Sequence, residues 1–106
     1  MAQPSYEAVA AKLAEVEAEM RRIGMWQEEP LKPEQYHFQR AFGMDTMAFS
    51  QWLQFIFVPR VRSIIESRGQ FPNSSSVAAQ AIREFDGMDE TSDLHMRLYE
   101  FDKMFG

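Results

Sequence analysis

Apolar residues at Tyr6, Val9, Leu13, Val16, Met20 and Ile23 alternate three and four positions apart, the seam of an amphipathic helix. The spacing predicts a first helix near residues 5–23, started by Pro4 and Ser5 and stopped by a left-handed Gly24, with Glu17 and Arg21 paired on its outer face. The pattern then fails. Residues 25–44 carry Pro30 and Pro33 and no period, so irregular backbone is expected, with a short helical turn from Pro33. So long a connection in a small domain is usually functional or disordered. Disorder would leave Trp26, Tyr36, Phe38 and Phe42 in water, so the loop should lie across the other elements, pinned by these rings.

A second helix is expected near residues 47–68, with Asp45 or Thr46 as its cap and Gly69 as its stop. Phe49, Trp52, Leu53, Ile56, Phe57, Val61 and Ile64 make a face too wide for a surface helix, and Ser50, Gln51, Gln54 and Arg62 share a narrow polar strip. This helix should be buried on most sides. Pro59 removes the amide that would bond the Phe55 carbonyl, and its ring crowds that carbonyl, so a kink or a break is expected there. Ser74, Ser75 and Ser76 offer caps for a third helix near 76–86, with Val77, Ala78, Ala81, Ile82 and Phe85 inward and Gly87 at its end. A fourth helix near 91–105 has the seam Leu94, Leu98, Phe101 and Phe105, caps from Asp89 to Ser92, and Asp93 paired with Arg97 outside. Gly24, Gly69, Gly87 and Gly106 each follow a helical segment, and no strand-like alternation competes. The expected fold is all-α: a four-helix bundle-like single domain across residues 1–106, with a long aromatic loop between helices one and two.

Composition narrows the function. With 106 residues there is room for one core, and with no cysteine there is no thiol catalysis, zinc-thiolate site or disulfide scaffold. The N-terminal stretch has acids every few residues and no basic segment before an apolar one, so no signal peptide is expected and a cytoplasmic location is the default. The longest apolar run, around Trp52 to Val58, is far short of the ~20 residues that span a bilayer, and Arg60 closes it. A net charge of −5 argues against DNA and nonspecific nucleic-acid binding. Only residues 32–69 are net positive, through Lys32, Arg40, Arg60, Arg62 and Arg68.

The block Met44-Asp45-Thr46-Met47, the triplet Trp52-Leu53-Gln54, the pair Pro59-Arg60 and the upstream Trp26 and Pro30 together resemble the YqcC-like family of small bacterial proteins. The resemblance covers most of the chain and is strongest from Trp26 to Pro72; from Asn73 onward only the helical pattern matches. It implies an all-α, bundle-like domain of unassigned biochemical function from Gram-negative bacteria. Members are often encoded beside a tRNA pseudouridine synthase, which implies a shared pathway. The resemblance supplies no catalytic residues.

Arg60 is the sharpest single residue. A guanidinium on an apolar face must find a carboxylate or reach water along its stem, and Asp45, Glu66 and Asp86 are the candidate partners for an ion pair that would leave it at least half buried. His37 and His95 lack ligand-spaced companions and read as loop and helix-surface residues. The acidic string from Asp86 to Asp93 lacks the ligand alternation of a calcium loop and reads as an inter-helix turn. No enzyme activity, metal or cofactor is expected. The chain reads as a protein-interaction module whose candidate surface combines the loop and the start of helix two: Trp26, Tyr36, Phe38, Arg40, Phe42, Asp45, Trp52 and Arg60. A protein partner is expected, with a tRNA-modifying enzyme among the candidates. An accessory role in tRNA modification, with Lys32, Arg40, Arg62 and Arg68 touching RNA or an RNA-bound enzyme, is the alternative; a carrier of small apolar ligands is a weaker one. Homodimerisation stays open.

Overall fold

In the computed structural model, which describes residues 3–105, the elements are helical and no strand occurs among the described residues. Helix α1 spans Tyr6–Arg22, and the Ser5 hydroxyl accepts the Ala8 N–H at 3.0 Å as its cap. Gly24 takes φ 77° and the Met25 N–H reaches back to the Met20 carbonyl at 2.8 Å, the left-handed stop expected from sequence. Helix α2 runs over residues 49–67 without a break, as an α-helical turn Phe49–Trp52, a wide turn Leu53–Phe57 and a second α-helical part Val58–Ser67. Helices α3 (Val77–Glu84) and α4 (Ser92–Lys103) complete the set, with 3-10 turns at Pro33–Tyr36, Ala41–Gly43 and Asp89–Thr91. Helix α1 packs on both α2 and α4, and α3 packs on α4. The predicted role of Gly106 lies outside the described residues.

The core follows the predicted seams. Val9, Val16 and Met20 of α1, Leu53 and Val58 of α2, and Leu94 and Leu98 of α4 are closed to solvent. Burying such a side chain contributes ~1.5–3 kcal/mol, which is why these faces decide the packing. One inward assignment is wrong: Ile82 is 59% exposed, because Ala78, Ala81 and Phe85 already fill the face that α3 turns to α4.

Several details of the helices differ from expectation, most of them where another partner takes the expected bond. Pro59 neither breaks nor ends α2; the preceding turn widens, with the Val58 N–H bonded to the Leu53 carbonyl five residues back. Widening relieves the clash between the proline ring and the carbonyl of the turn before it. At the end of α2 the left-handed residue is Arg68 (φ 54°), not Gly69. Arg68 is tied to α1 by its guanidinium over the Tyr6 ring at 5.1 Å, and the Tyr6 hydroxyl donates to the Gly69 carbonyl at 2.7 Å. The hydroxyls of Thr91 and Ser92 do not cap α4 but donate back to the Met88 and Asp89 carbonyls. Ser74, Ser75 and Ser76 do not cap α3 either. Asp102, from α4, accepts the Val77 and Ala78 N–H groups at 3.1 and 2.8 Å and the Ser75 hydroxyl at 2.5 Å.

Ion pairs line the α1–α4 seam. Glu100 is shared by Lys12 (3.0 Å) and Arg97 (2.9 Å), and Arg97 also reaches Glu15. Hydrogen bonds from Arg97 and then Lys12 hold the Glu100 carboxyl below its ordinary value, and the bond to Glu100 raises Lys12. Arg97 was expected to pair with Asp93; its geometry favours Glu100 one turn on. Glu17 pairs with Arg21 as expected.

Candidate interaction surface

Two members of the polar strip of α2, Gln51 and Gln54, hold the base of the loop. Gln54 is buried, its amide reading the backbone of Gln27 with two bonds: Oε1 accepts the Gln27 N–H at 2.9 Å and Nε2 donates to the Gln27 carbonyl at 2.7 Å. Gln51 closes its own helix start by accepting the Ala48 N–H at 2.9 Å, and Nε2 donates to Gln27 Oε1 at 3.2 Å. A buried amide with both ends satisfied fixes the segment it holds, because breaking either bond strands a polar group. Arg62, the last member of the strip, meets Glu17 of α1 at 3.2 Å.

Farther along, Asp45 acts as the clasp of the loop. Its carboxylate accepts the N–H groups of Gln39 (2.9 Å) and Arg40 (3.4 Å), and these bonds, Gln39 first, hold it below the ordinary aspartate range. It therefore neither caps α2 nor pairs with Arg60. Thr46 does not cap α2 either: its hydroxyl donates to the Gln35 carbonyl at 2.7 Å, while Gln35 Nε2 donates to the Thr46 carbonyl at 3.1 Å. These paired bonds join the two limbs of the loop side by side. At the bend Phe42 adopts φ 58°, a left-handed conformation that costs a bulky residue ~1–2 kcal/mol. The cost is offset by its ring, edge-on to Trp52 at 4.9 Å and to Phe49 at 5.8 Å. Gly43 follows at φ 62°, with Met47 against the site of its missing Cβ.

The eight candidate residues therefore separate. Trp52 is core; Trp26, Phe38 and Phe42 pack against the core, with the Arg21 guanidinium over the Trp26 ring at 4.7 Å. Asp45 is the clasp. Tyr36 remains open at 47% exposure, and Arg40 is exposed without an ion-pair partner among the described residues. Met44, one of the loop methionines that could serve either the core or an adaptable partner surface, is equally open, its sulfur accepting from Gln80 of α3 at 3.7 Å. Tyr36 lies next to Gln35 and Met44 two residues before Thr46, the pair that ties the limbs, and the same limbs carry exposed charges of both signs, Lys32 and Arg40 with Glu34 and Asp45. Arg60 is not among them. It is exposed, with no carboxylate within 4 Å and no hydrogen bond among the described residues, so the expected ion pair is not formed.

A second open surface was not foreseen. Between α3 and α4 lies a groove of about 520 Å³ lined by Ala79, Ile82, His95, Tyr99 and the serines 74–76. Ile82 and Tyr99 are its exposed large apolar residues, and Lys103 sits over the Tyr99 ring. His95 lines it with Nε2 buried and unbonded, so it is not the plain surface histidine expected. A signal for the groove was available: His95 and Tyr99 lie four apart, outside the Leu94–Leu98 seam.

Fold and surface define a small all-α domain with an anchored loop between its first two helices. The chain belongs to the DUF446 family, described as tRNA pseudouridine synthase C, whose profile matches residues 8–104. It is 28% identical over 81 residues to an uncharacterized Haemophilus influenzae protein, covering 74% of this chain and 76% of that one. It is likewise 28% identical over 74 residues to the uncharacterized protein YqcC of Escherichia coli, covering 70% and 68% of the two chains. A third relative, tRNA pseudouridine synthase C of Pectobacterium carotovorum, is 32% identical over 66 residues, which are 62% of this chain but 18% of that protein. The solution NMR structure of E. coli YqcC superposes with a TM-score of 0.84 at 24% identity, covering 94% of this chain and 86% of that one, and so shares the fold. No helix among the described residues is long and apolar enough to cross a membrane.

Proposed function

We propose that this protein is a non-catalytic interaction module, working in the cytoplasm, whose partner is a tRNA pseudouridine synthase. The supporting observation is the Pectobacterium relative: a segment like this chain makes up 18% of a much longer protein called tRNA pseudouridine synthase C. Two units on one polypeptide meet at millimolar effective concentration without a strong interface. Contact between separate chains needs a surface to replace the tether, and the loop offers one in Tyr36 and Met44, with Lys32 and Arg40 on the same limbs. Its exposed groups suit contact rather than acid–base chemistry.

Direct RNA binding is the lesser reading. Of the four cations it would use, Arg62 meets Glu17 at 3.2 Å and Arg68 lies 4.0 Å from Glu7, which leaves Lys32 and Arg40 to face phosphate in a chain of net charge −5. Affinity purification of the tagged protein with mass spectrometry, with and without ribonuclease, tests both. Recovery of the synthase in both samples supports the proposal; recovery lost with ribonuclease favours RNA; absence of the synthase from both contradicts it.

A further inference from the structure

A second, smaller pocket of about 230 Å³ opens where α2, the 71–75 turn and α4 meet. Its walls are Trp52, Phe57, Ile64, Phe71, Phe101 and Phe105, and exposed Arg60 and Ser74 stand at its mouth. The wide turn of α2 builds it. In a regular α-helix residues five apart lie about 140° around the axis. The five-residue hydrogen bond of the turn Leu53–Phe57 instead brings Phe57 round towards Trp52, and the two rings stack at 5.8 Å with 27° between planes. Arg60 follows Phe57 by three residues and precedes Ile64 by four, so its guanidinium edges the same face. Widened turns of this kind frequently sit at functional sites, and this one shapes a pocket whose mouth carries a cation without a carboxylate partner among the described residues.

We propose that this pocket binds a small monocarboxylate with an apolar body of medium-chain size, the body among the aromatic rings and the carboxylate on Arg60. Size and charge select the class. An apolar cavity of ~150 Å³ already takes up benzene, and drug-sized ligands need ~300 Å³ or more, so a pocket of about 230 Å³ suits a medium alkyl chain. The guanidinium presents a planar fork that a carboxylate accepts in two bonds. The site is separate from the loop surface and stands or falls independently of the synthase proposal.

The probe is octanoate, titrated into the ¹⁵N-labelled full chain and followed by amide shifts, beside octanol, Arg60→Gln and Ser74→Phe. Saturable shifts centred on Arg60, Ile64 and Phe71 are expected, with octanol about tenfold weaker than octanoate and the difference removed in Arg60→Gln. Ser74→Phe narrows the mouth from an exposed position and should weaken both probes while leaving the spectrum otherwise folded. Octanoate and octanol binding alike, shifts centred elsewhere, an unchanged octanoate titration in Arg60→Gln, or no saturation overturns the assignment.

Discussion

Two carboxylates, Asp45 and Asp102, each capture two consecutive or near-consecutive backbone amides, yet they stabilise on different scales. Asp45 reaches five and six residues back along its own loop. Asp102 reaches across 24 and 25 residues to the start of another helix and takes the Ser75 hydroxyl as well. The first shapes a surface; the second joins two layers of the fold. The loop can therefore loosen without the bundle opening, whereas α3 cannot leave α4 without losing its cap.

The difference breaks most clearly at Asp102. Asp102→Ala leaves the Val77 and Ala78 N–H groups unpaired, and the loss of a cap with its buried partners should cost about 2 kcal/mol, read from denaturant unfolding. A change under about 0.5 kcal/mol would mean that Ser76 or water replaces it. Gln54→Leu comes next: stranding the Gln27 N–H and carbonyl should cost about 1–2 kcal/mol and raise amide exchange at Gln27 ahead of the core. Normal protection at Gln27 in a folded variant would show that the loop base is held by its rings alone. Asp45→Ala should act locally, speeding exchange at the Gln39 and Arg40 amides while global unfolding hardly moves. Ile82→Gln, at an exposed site, should stay within about 0.5 kcal/mol of wild type.

Acid sharpens the same contrast. The carboxyls of Asp45 and Glu100 are both held below their ordinary values in the folded chain. Such groups contribute stability that is fully present above their unfolded pKa of ~3.9–4.3 and is lost as pH falls through the lower folded value. Exchange at Gln39 and Arg40 should therefore be flat from neutral pH to about 5 after correction for intrinsic rates, and the loop should loosen only below about pH 4. Loosening already at pH 6 would contradict that role for Asp45.

The seams of α1 and α4 were readable because each keeps a single partnered face, and their spacing of three and four carries the whole signal. The anchoring of the loop was readable from its rings. Capping was readable at Ser5 and Gly24 but not at α2 and α3, since Asp45 turns to the Gln39 and Arg40 amides and Asp102 takes amides that sequence assigned to the serines 74–76; only the fold decides which oxygen arrives. Arg60 was visible as an exception, but the widened turn that turns it to a pocket mouth depends on where the proline clash is relieved. Ile82 misled because α3 is short: over eight residues an apolar side chain next to the buried stripe looks the same as one within it.

Calorimetric titration of a purified tRNA pseudouridine synthase with the wild-type protein, a Tyr36→Ala and Met44→Ala double variant, and Ile82→Gln tests the docking surface directly. Circular dichroism should show all three folded. The account predicts binding by the wild type, affinity reduced tenfold or more in the loop variant, as expected when central apolar contacts are removed, and no change in Ile82→Gln. Undiminished binding by the loop variant, with affinity lost in Ile82→Gln, would contradict it and place the partner on the α3–α4 groove.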